Sequence, residues 1–375
     1  MRSRKTLGGN NRHTCHMLRF IFVVLLLTVA AFGQGDWRRG TLESAGIDAR
    51  RITAMETAIS AGHFKKIGSV LVARHGQLVY EKYFDGDAKT LRDTRSATKT
   101  IASLLIGLAI QDKKLSGVDA RILSLLPERL RRLQNPDPRK EKITLEDLLT
   151  MSSPLECDDW KDASRGNEER MYRTEDWAQF ILDLPLRGPM RAGEPLKIPK
   201  YGRNFSYCTG GAFLLSEVLG KSTGLRTDRY AAQKLFGPLG IANAKWVFSP
   251  LNIPQTGGGL RLASLDLLKI VQLHLDGGKW KGGRIINEEW VKTSITPHAE
   301  INDHQEYGYL WWLQSFKANG RSYPAFFMTG NGGNKILGFP TLDLAVAITS
   351  TNYNTRGMHE QTDQLLSEYI LAAVR

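Results

Sequence analysis

Apolar and polar positions alternate along this chain in recognisably different rhythms. Between Glu43 and Ala61 the apolar residues Ile52, Met55 and Ile59 keep the three-and-four spacing of one helical face. Ile67–Arg74 and Gln77–Phe84 are short β-branched and aromatic runs on either side of His75-Gly76, a pattern that predicts a hairpin. Ile101–Ile110 is apolar on every face, which predicts a helix running through the core. From about residue 96 to 279 the pattern is helical and loop-rich, with helices predicted at Leu145–Met151, Trp177–Leu184, Gly210–Leu219 and Ser264–Leu275. Lys221-Ser-Thr-Gly224 ends one of these helices, with Gly224 as its C-cap. Strand patterns return at Tyr307–Leu313, Ala325–Met328, Lys335–Phe339 and Leu344–Thr349, before a last helix over His359–Ala373. Strands at both ends around a helical middle predict one α+β sandwich whose sheet is built from both termini. There is no internal repeat and no low-complexity linker.

The first 33 residues change this picture. Arg2, Arg4, Lys5, Arg12 and Arg19 precede the apolar run Phe20–Ala31, and Ala31-Phe-Gly33 offers small residues for cleavage. This reads as an export signal over 1–33, leaving a mature domain of 34–375 in the periplasm or outside the cell, without stable membrane insertion. Met17 is an alternative start that still leaves a compact signal, and an uncleaved anchor is the rival reading. The formal charge of +13 shrinks accordingly: without the five basic residues of the signal, 46 basic face 38 acidic side chains, about +8. The surplus is scattered and not interleaved with aromatic residues, so a nucleic-acid platform is not indicated. Once Cys15 leaves with the signal, Cys157 and Cys208 remain, either as a disulfide or as two buried thiols. The eight histidines form no metal-ligand spacing.

Candidate chemistry begins at Arg95-Ser-Ala-Thr-Lys-Thr100, at the mouth of the apolar helix. Ser96 is the only serine in the chain followed by lysine at the third position. A serine there is ordinarily an N-cap. Lys99, one turn into a buried helix, is expected to lose hydration, which favours a neutral amine able to take the serine's proton. The Ser96 N–H, at a helix N-terminus, suits an oxyanion.

That architecture, with Ser-x-x-Lys opening the first inserted helix, resembles the serine β-lactamase and penicillin-binding-protein superfamily over residues 41–375. The nearest flavour is the class C β-lactamase-related serine hydrolases, which include esterases, D-amino-acid-specific peptidases and 6-aminohexanoate-dimer hydrolases. Cys157-Asp-Asp-Trp160, Gly166–Tyr172, Phe205–Gly211, Gly257-Gly-Gly-Leu-Arg261 and Tyr307–Trp312 are similar to the last subgroup. The resemblance implies an antiparallel sheet flanked by helices, with the helical region inserted. It places the second motif on Tyr207-Cys208-Thr209, Tyr207 being the general base or acid and Thr209, standing where an asparagine is usual, being expected to hydrogen-bond Lys99 or substrate. It places the third on Thr329-Gly330-Asn331-Gly332-Gly333-Asn334. There the N–H of Gly333 is expected to join that of Ser96 in an oxyanion hole, with Gly332 and Asn331 beside the substrate and Gly330 in place of the family's lysine or histidine.

The function so implied is hydrolysis of a small amide or ester through an acyl-enzyme on Ser96, with no cofactor and with the oligomeric state left open. The alternatives are a β-lactamase or D,D-peptidase, and a non-catalytic binding or sensor domain of the same fold. Trp160, Tyr172, Trp177, Trp311 and Trp312 are expected either as pocket walls or as core, Asp158 and Asp159 either at a cationic substrate group or on a solvated loop. A Cys157–Cys208 bond would pin the segment that carries Tyr207.

Overall fold

The computed structural model describes residues 37–188 and 199–375, so the segment read as an export signal lies outside the described residues. Nine strands make the main sheet: Arg38–Arg39 (β1), Ile67–Arg74 (β2), Gln77–Tyr83 (β3), Ala299–Asn302 (β4), Gln305–Tyr307 (β5), Trp312–Ala318 (β6), Arg321–Gly330 (β7), Asn334–Phe339 (β8) and Leu344–Ser350 (β9). Their order is β1-β3-β2-β9-β8-β7-β6-β5-β4, antiparallel throughout except for β1 beside β3. β9, near the C-terminus, pairs with β2, near the N-terminus, Ala347 opposite Leu71. The two ends of the chain therefore build one sheet around an inserted middle, as the apolar rhythm predicts. His75 and Gly76 both take positive φ, which gives the hairpin turn a twist matching its strands.

The central strands are almost continuously apolar because both their faces are covered. On β2, Leu71 and Ala73 face one core while Val70 and Val72 face another. The second core is closed by Ala49–Ser60 (α1) and by the C-terminal helix, which begins at Met358. The first holds Thr98–Gln111 (α2), Thr209–Thr223 (α3) and Ser264–Leu275 (α4). α2 is buried from Thr98 to Ala109, as its unbroken apolar run requires. α3 ends at Gly224 in the left-handed conformation, the expected C-cap.

Two expectations need correction. Tyr307–Leu313 is not one strand, because Gly308–Trp311 forms a turn between β5 and β6, with the Gly308 N–H donating to the Trp311 carbonyl. A Cβ at position 308 would lie 2.1 Å from the Ser294 carbonyl oxygen, so only glycine lets the chain turn there. The middle of the chain also contributes strands: Leu260–Ala263 pairs with both Leu91–Asp93 and Lys245–Trp246. This small sheet sets the approach to the Ser96 turn, since Leu91–Asp93 leads directly into it.

α2 passes Trp290 so closely that a Cβ on Gly107 would fall 2.5 Å from the indole ring. Gly107→Ala is therefore expected to lower stability by about 1 to 3 kcal/mol through overpacking, despite alanine's better helix propensity. A urea midpoint at or above that of the parent would refute this packing account.

Candidate active site

Leu91–Asp93 ends in a 3-10 turn over Arg95–Ala97, and α2 starts at Thr98. Ser96 thus stands on the turn that precedes the helix, and Lys99 is its second residue. Arg95 holds a positive φ of 51°, an unusual backbone state immediately before the serine. Lys99 is 1% exposed, and its Nζ lies 2.9 Å from Ser96 Oγ. The same nitrogen donates to the Gly257 carbonyl at 2.5 Å and sits 4.8 Å from the centre of the Tyr207 ring. The structure therefore brings together Ser96, Lys99 and Tyr207, drawn from two segments more than a hundred residues apart.

Tyr207 owes its place to the start of α3, the helix that packs on α2 in the same core. Cys208 is the N-cap residue, with Sγ accepting from the Gly211 N–H, and a disulfide joins it to Cys157. Cys208 has an extended backbone, in which neighbouring side chains point to opposite sides, so the disulfide is expected to fasten the segment from behind the Tyr207 ring. Trp160 stacks on Tyr207 with ring centres 5.6 Å apart and planes 7° apart, and Trp312 lies 5.8 Å from the same ring. Phe205 joins them. Of the aromatic residues considered as walls, Trp160 is 57% exposed and Trp312 half-buried, whereas Trp177 and Trp311 belong to the core.

Thr209 is buried, and its N–H donates to Asp159 Oδ2 at 2.6 Å. Asp159 is neither on a solvated loop nor free for a substrate cation. Its other oxygen accepts from the Glu168 N–H at 2.9 Å, and its own N–H donates to the Tyr207 carbonyl. Burial and the neighbouring Glu168 push its carboxyl up to about 6, against the pull of Lys99 and Thr209. Asp158 pairs instead with Lys161. Asp159, Glu168, Gln255 and the Gly257 carbonyl are parts of the site's framework that residue types alone did not reveal. Their only signal was that the stretches containing Asp159, Glu168 and Gly257 carry the resemblance.

The third segment needs one correction. A Cβ on Gly330, at the end of β7, would lie 2.0 Å from the Thr94 carbonyl oxygen and 2.8 Å from Ser96 N. One on Gly333 would lie 2.3 Å from the carbonyl oxygen of Met358 on the C-terminal helix. It is Gly330, not Gly333, that meets the serine turn, because the hairpin closes Gly330 on Asn334 and carries Gly333 to the far side. Gly332 donates its N–H to Met358 Sδ and packs on Tyr353. The side chain of Asn331 is taken up by Asn354, donating to its Oδ1 at 2.6 Å and accepting from its N–H at 2.8 Å. Lys335, which follows this loop, is 4% exposed and ion-paired to Asp363 beside Phe316 and Phe327, in the core under the C-terminal helix.

Comparison with known proteins bears on the family and the fold. The beta-lactamase family model matches residues 62–369. The chain belongs to the beta-lactamase family. A 6-aminohexanoate-dimer hydrolase from Paenarthrobacter ureafaciens is 22% identical over 242 residues, 60% of this chain, and the match spans only 56% of that relative. Among solved structures, EstCE1, a hydrolase with promiscuous acyltransferase activity, superposes with a TM-score of 0.65 at 15% identity, covering 86% of this chain and 98% of the other. The octameric penicillin-binding protein homologue from Pyrococcus abyssi gives a TM-score of 0.60 at 18% identity, covering 85% and 77% respectively. The fold is thus that of β-lactamases and penicillin-binding proteins, and the family includes hydrolases.

Two outcomes are expected from the geometry. Gly330→Ala must displace the Ser96 turn by an ångström or so, and a misplacement of that size lowers kcat/KM by about a hundredfold. Unchanged kcat/KM on the best substrate would show that the contact is not tight. Cys157→Ser opens a crosslink between positions 51 residues apart, so the variant should lose about 3 to 4 kcal/mol of unfolding free energy. Denaturant titration of the oxidised parent and the variant measures it.

Proposed function

We propose that this protein is a serine hydrolase that cleaves small esters or linear amides through an acyl-enzyme on Ser96. The carrying observation is the 2.9 Å contact between Lys99 Nζ and Ser96 Oγ inside a buried helix start. Lys99 Nζ takes the hydroxyl proton as Ser96 Oγ attacks the substrate carbonyl, forming the C–O bond of a tetrahedral intermediate. Tyr207, beside Lys99, passes the proton to the leaving nitrogen or oxygen as that bond breaks. The N–H of Ser96 and the amide that follows Gly330 hold the oxyanion, the role expected earlier of Gly333. Water then attacks the acyl-enzyme by the same proton path in reverse. No step calls on a cofactor.

The wall of Trp160, Trp312 and Phe205 favours substrates with an apolar acyl or leaving group, because planar rings bury such groups without leaving polar atoms unpaired. Export to the periplasm or the exterior is our reading of residues 1–33, supported by the disulfide, which persists in oxidising compartments.

A fluorophosphonate probe separates this reading from a non-catalytic binding domain. The parent should be labelled on Ser96, and Ser96→Ala should lose both label and turnover while keeping its fold, since the Ser96 side chain caps neither the 3-10 turn nor α2. Turnover near the parent level in purified Ser96→Ala would sink the assignment. Penicillins and cephalosporins are expected to be poor substrates. Position 330 packs too tightly on the Ser96 turn to carry any side chain and Lys335 is held in the opposite core, so neither supplies a cation for a substrate carboxylate, a loss of about 1.5 to 3 kcal/mol or one to two powers of ten. A cephalosporin with kcat/KM above that of the best ester would overturn that expectation.

A further inference from the structure

Asp159 stands outside the proton path just described, yet its N–H and both carboxylate oxygens are engaged with that path's supports. We infer that Asp159 is a positioning residue whose carboxylate fixes the Tyr207–Thr209 segment and the carbonyl that holds Lys99. This rests on the assignment of Ser96, Lys99 and Tyr207 as the reacting group.

The first arm is direct. The Asp159 N–H donates to the Tyr207 carbonyl at 2.8 Å, and Oδ2 accepts from the Thr209 N–H at 2.6 Å, so one residue brackets Cys208 and holds the backbone immediately after Tyr207. The second arm runs through side chains. Asp159 Oδ1 accepts from the Glu168 N–H, and the Glu168 carboxylate accepts from the Tyr172 hydroxyl at 2.9 Å. Gln255 Nε2 donates to the Tyr172 oxygen at 3.4 Å, while Gln255 Oε1 accepts from the Gly257 N–H at 2.8 Å. The Gly257 carbonyl receives Lys99 Nζ. The arms meet again, because a Cβ on Gly257 would lie 2.8 Å from the Thr209 carbonyl oxygen. The framework is a closed ring with Asp159 on one side and the Lys99 acceptor on the other.

Such a ring depends on charge. A carboxylate accepts with both oxygens, whereas a protonated carboxyl turns one of them into a donor facing an N–H and loses that bond. Asp159 faces Glu168 and Tyr172 from one segment, Lys99 from α2 and the N-terminal peptide groups of α3; Asp158 and Lys161, on its own loop, pair with each other. Burial and Glu168 bring its protonation to about pH 6. The linkage sign is informative. A carboxyl whose folded pKa is raised favours the fold at low pH, and that stability is lost as pH rises from about 4 through 6. At neutral pH the charged group therefore works against stability, as expected of a group held for function rather than for folding.

The test compares parent and Asp159→Asn by the rate of fluorophosphonate reaction at Ser96 between pH 4.5 and 8, with thermal unfolding at pH 7.5. The parent rate should bend near pH 6 and fall about tenfold per pH unit below it. Asp159→Asn should lose that bend and react at least about tenfold more slowly at pH 7.5 while unfolding at an equal or higher temperature. A variant that keeps the parent's bend and rate overturns the inference and leaves the Ser96 assignment standing. A parent that reacts without any bend between pH 5 and 7 overturns it too, whether or not the variant folds. A parent that is never labelled removes both readings.

Discussion

The amino group of Lys99 has given up its water, and the site is organised by how that loss is made good. Nζ finds the Gly257 carbonyl, the Ser96 hydroxyl and the face of Tyr207, each delivered by a different part of the fold. An amine in a core that lacked any of these would carry an unsatisfied polar group, at about 1 to 3 kcal/mol. The carbonyl can approach only because position 257 has no Cβ, which would otherwise fall 2.6 Å from Thr209 Cγ2. Folding the core thus assembles Ser96, Lys99 and Tyr207 before any substrate arrives, which is the preorganisation that the proposed acyl transfer requires.

The sheet separates this chemistry from the structural charges behind it. On the α2 side, β7 presents a bare Gly330 to the serine turn, and that nakedness lets backbone meet backbone. On the other side, Lys335 and Asp363 form a pair in the core under the C-terminal helix. Burial lowers the Lys335 pKa and raises that of Asp363, so the pair is held by mutual attraction inside a medium that disfavours both charges. Neighbouring residues of one hairpin thus serve opposite layers, because successive strand positions point to opposite faces.

How much of this was legible in the sequence followed the distance over which each relation acts. Ser96 and Lys99 lie within one helical turn, so their proximity follows from the apolar run that makes the helix. The two-ended sheet was legible because strands covered on both faces are apolar throughout. Gly330 was not, since three glycines crowd residues 330–333 and the choice among them is made by hairpin register, a property of two strands together. Asp159 was misread because its partners lie at 168 and 207–209, and nothing in Cys-Asp-Asp-Trp tells a gripping carboxylate from a solvated one. Leu260–Ala263 stayed hidden in the glycine-rich stretch before it, and the Gly308 turn was masked by aromatic residues on both sides.

The segment that carries Asp159 is also the one that carries Trp160, and this joins positioning to specificity. The disulfide at 157, the two hydrogen bonds at 159 and the ring stacking at 160 all tie it to residues 207–209. A covalent link alone would leave the segment free to swing about one point. Attachment at three successive places removes that freedom, so the backbone that carries the indole stays in place beside the Tyr207 ring. On the proposed mechanism, the wall that a substrate meets and the phenol that moves its proton are thus carried by segments joined at three successive places. On the proposed mechanism, a substrate that fits against Trp160 and Trp312 is placed relative to Tyr207 by the same contact, and one too bulky for that wall is held away from the phenol as well.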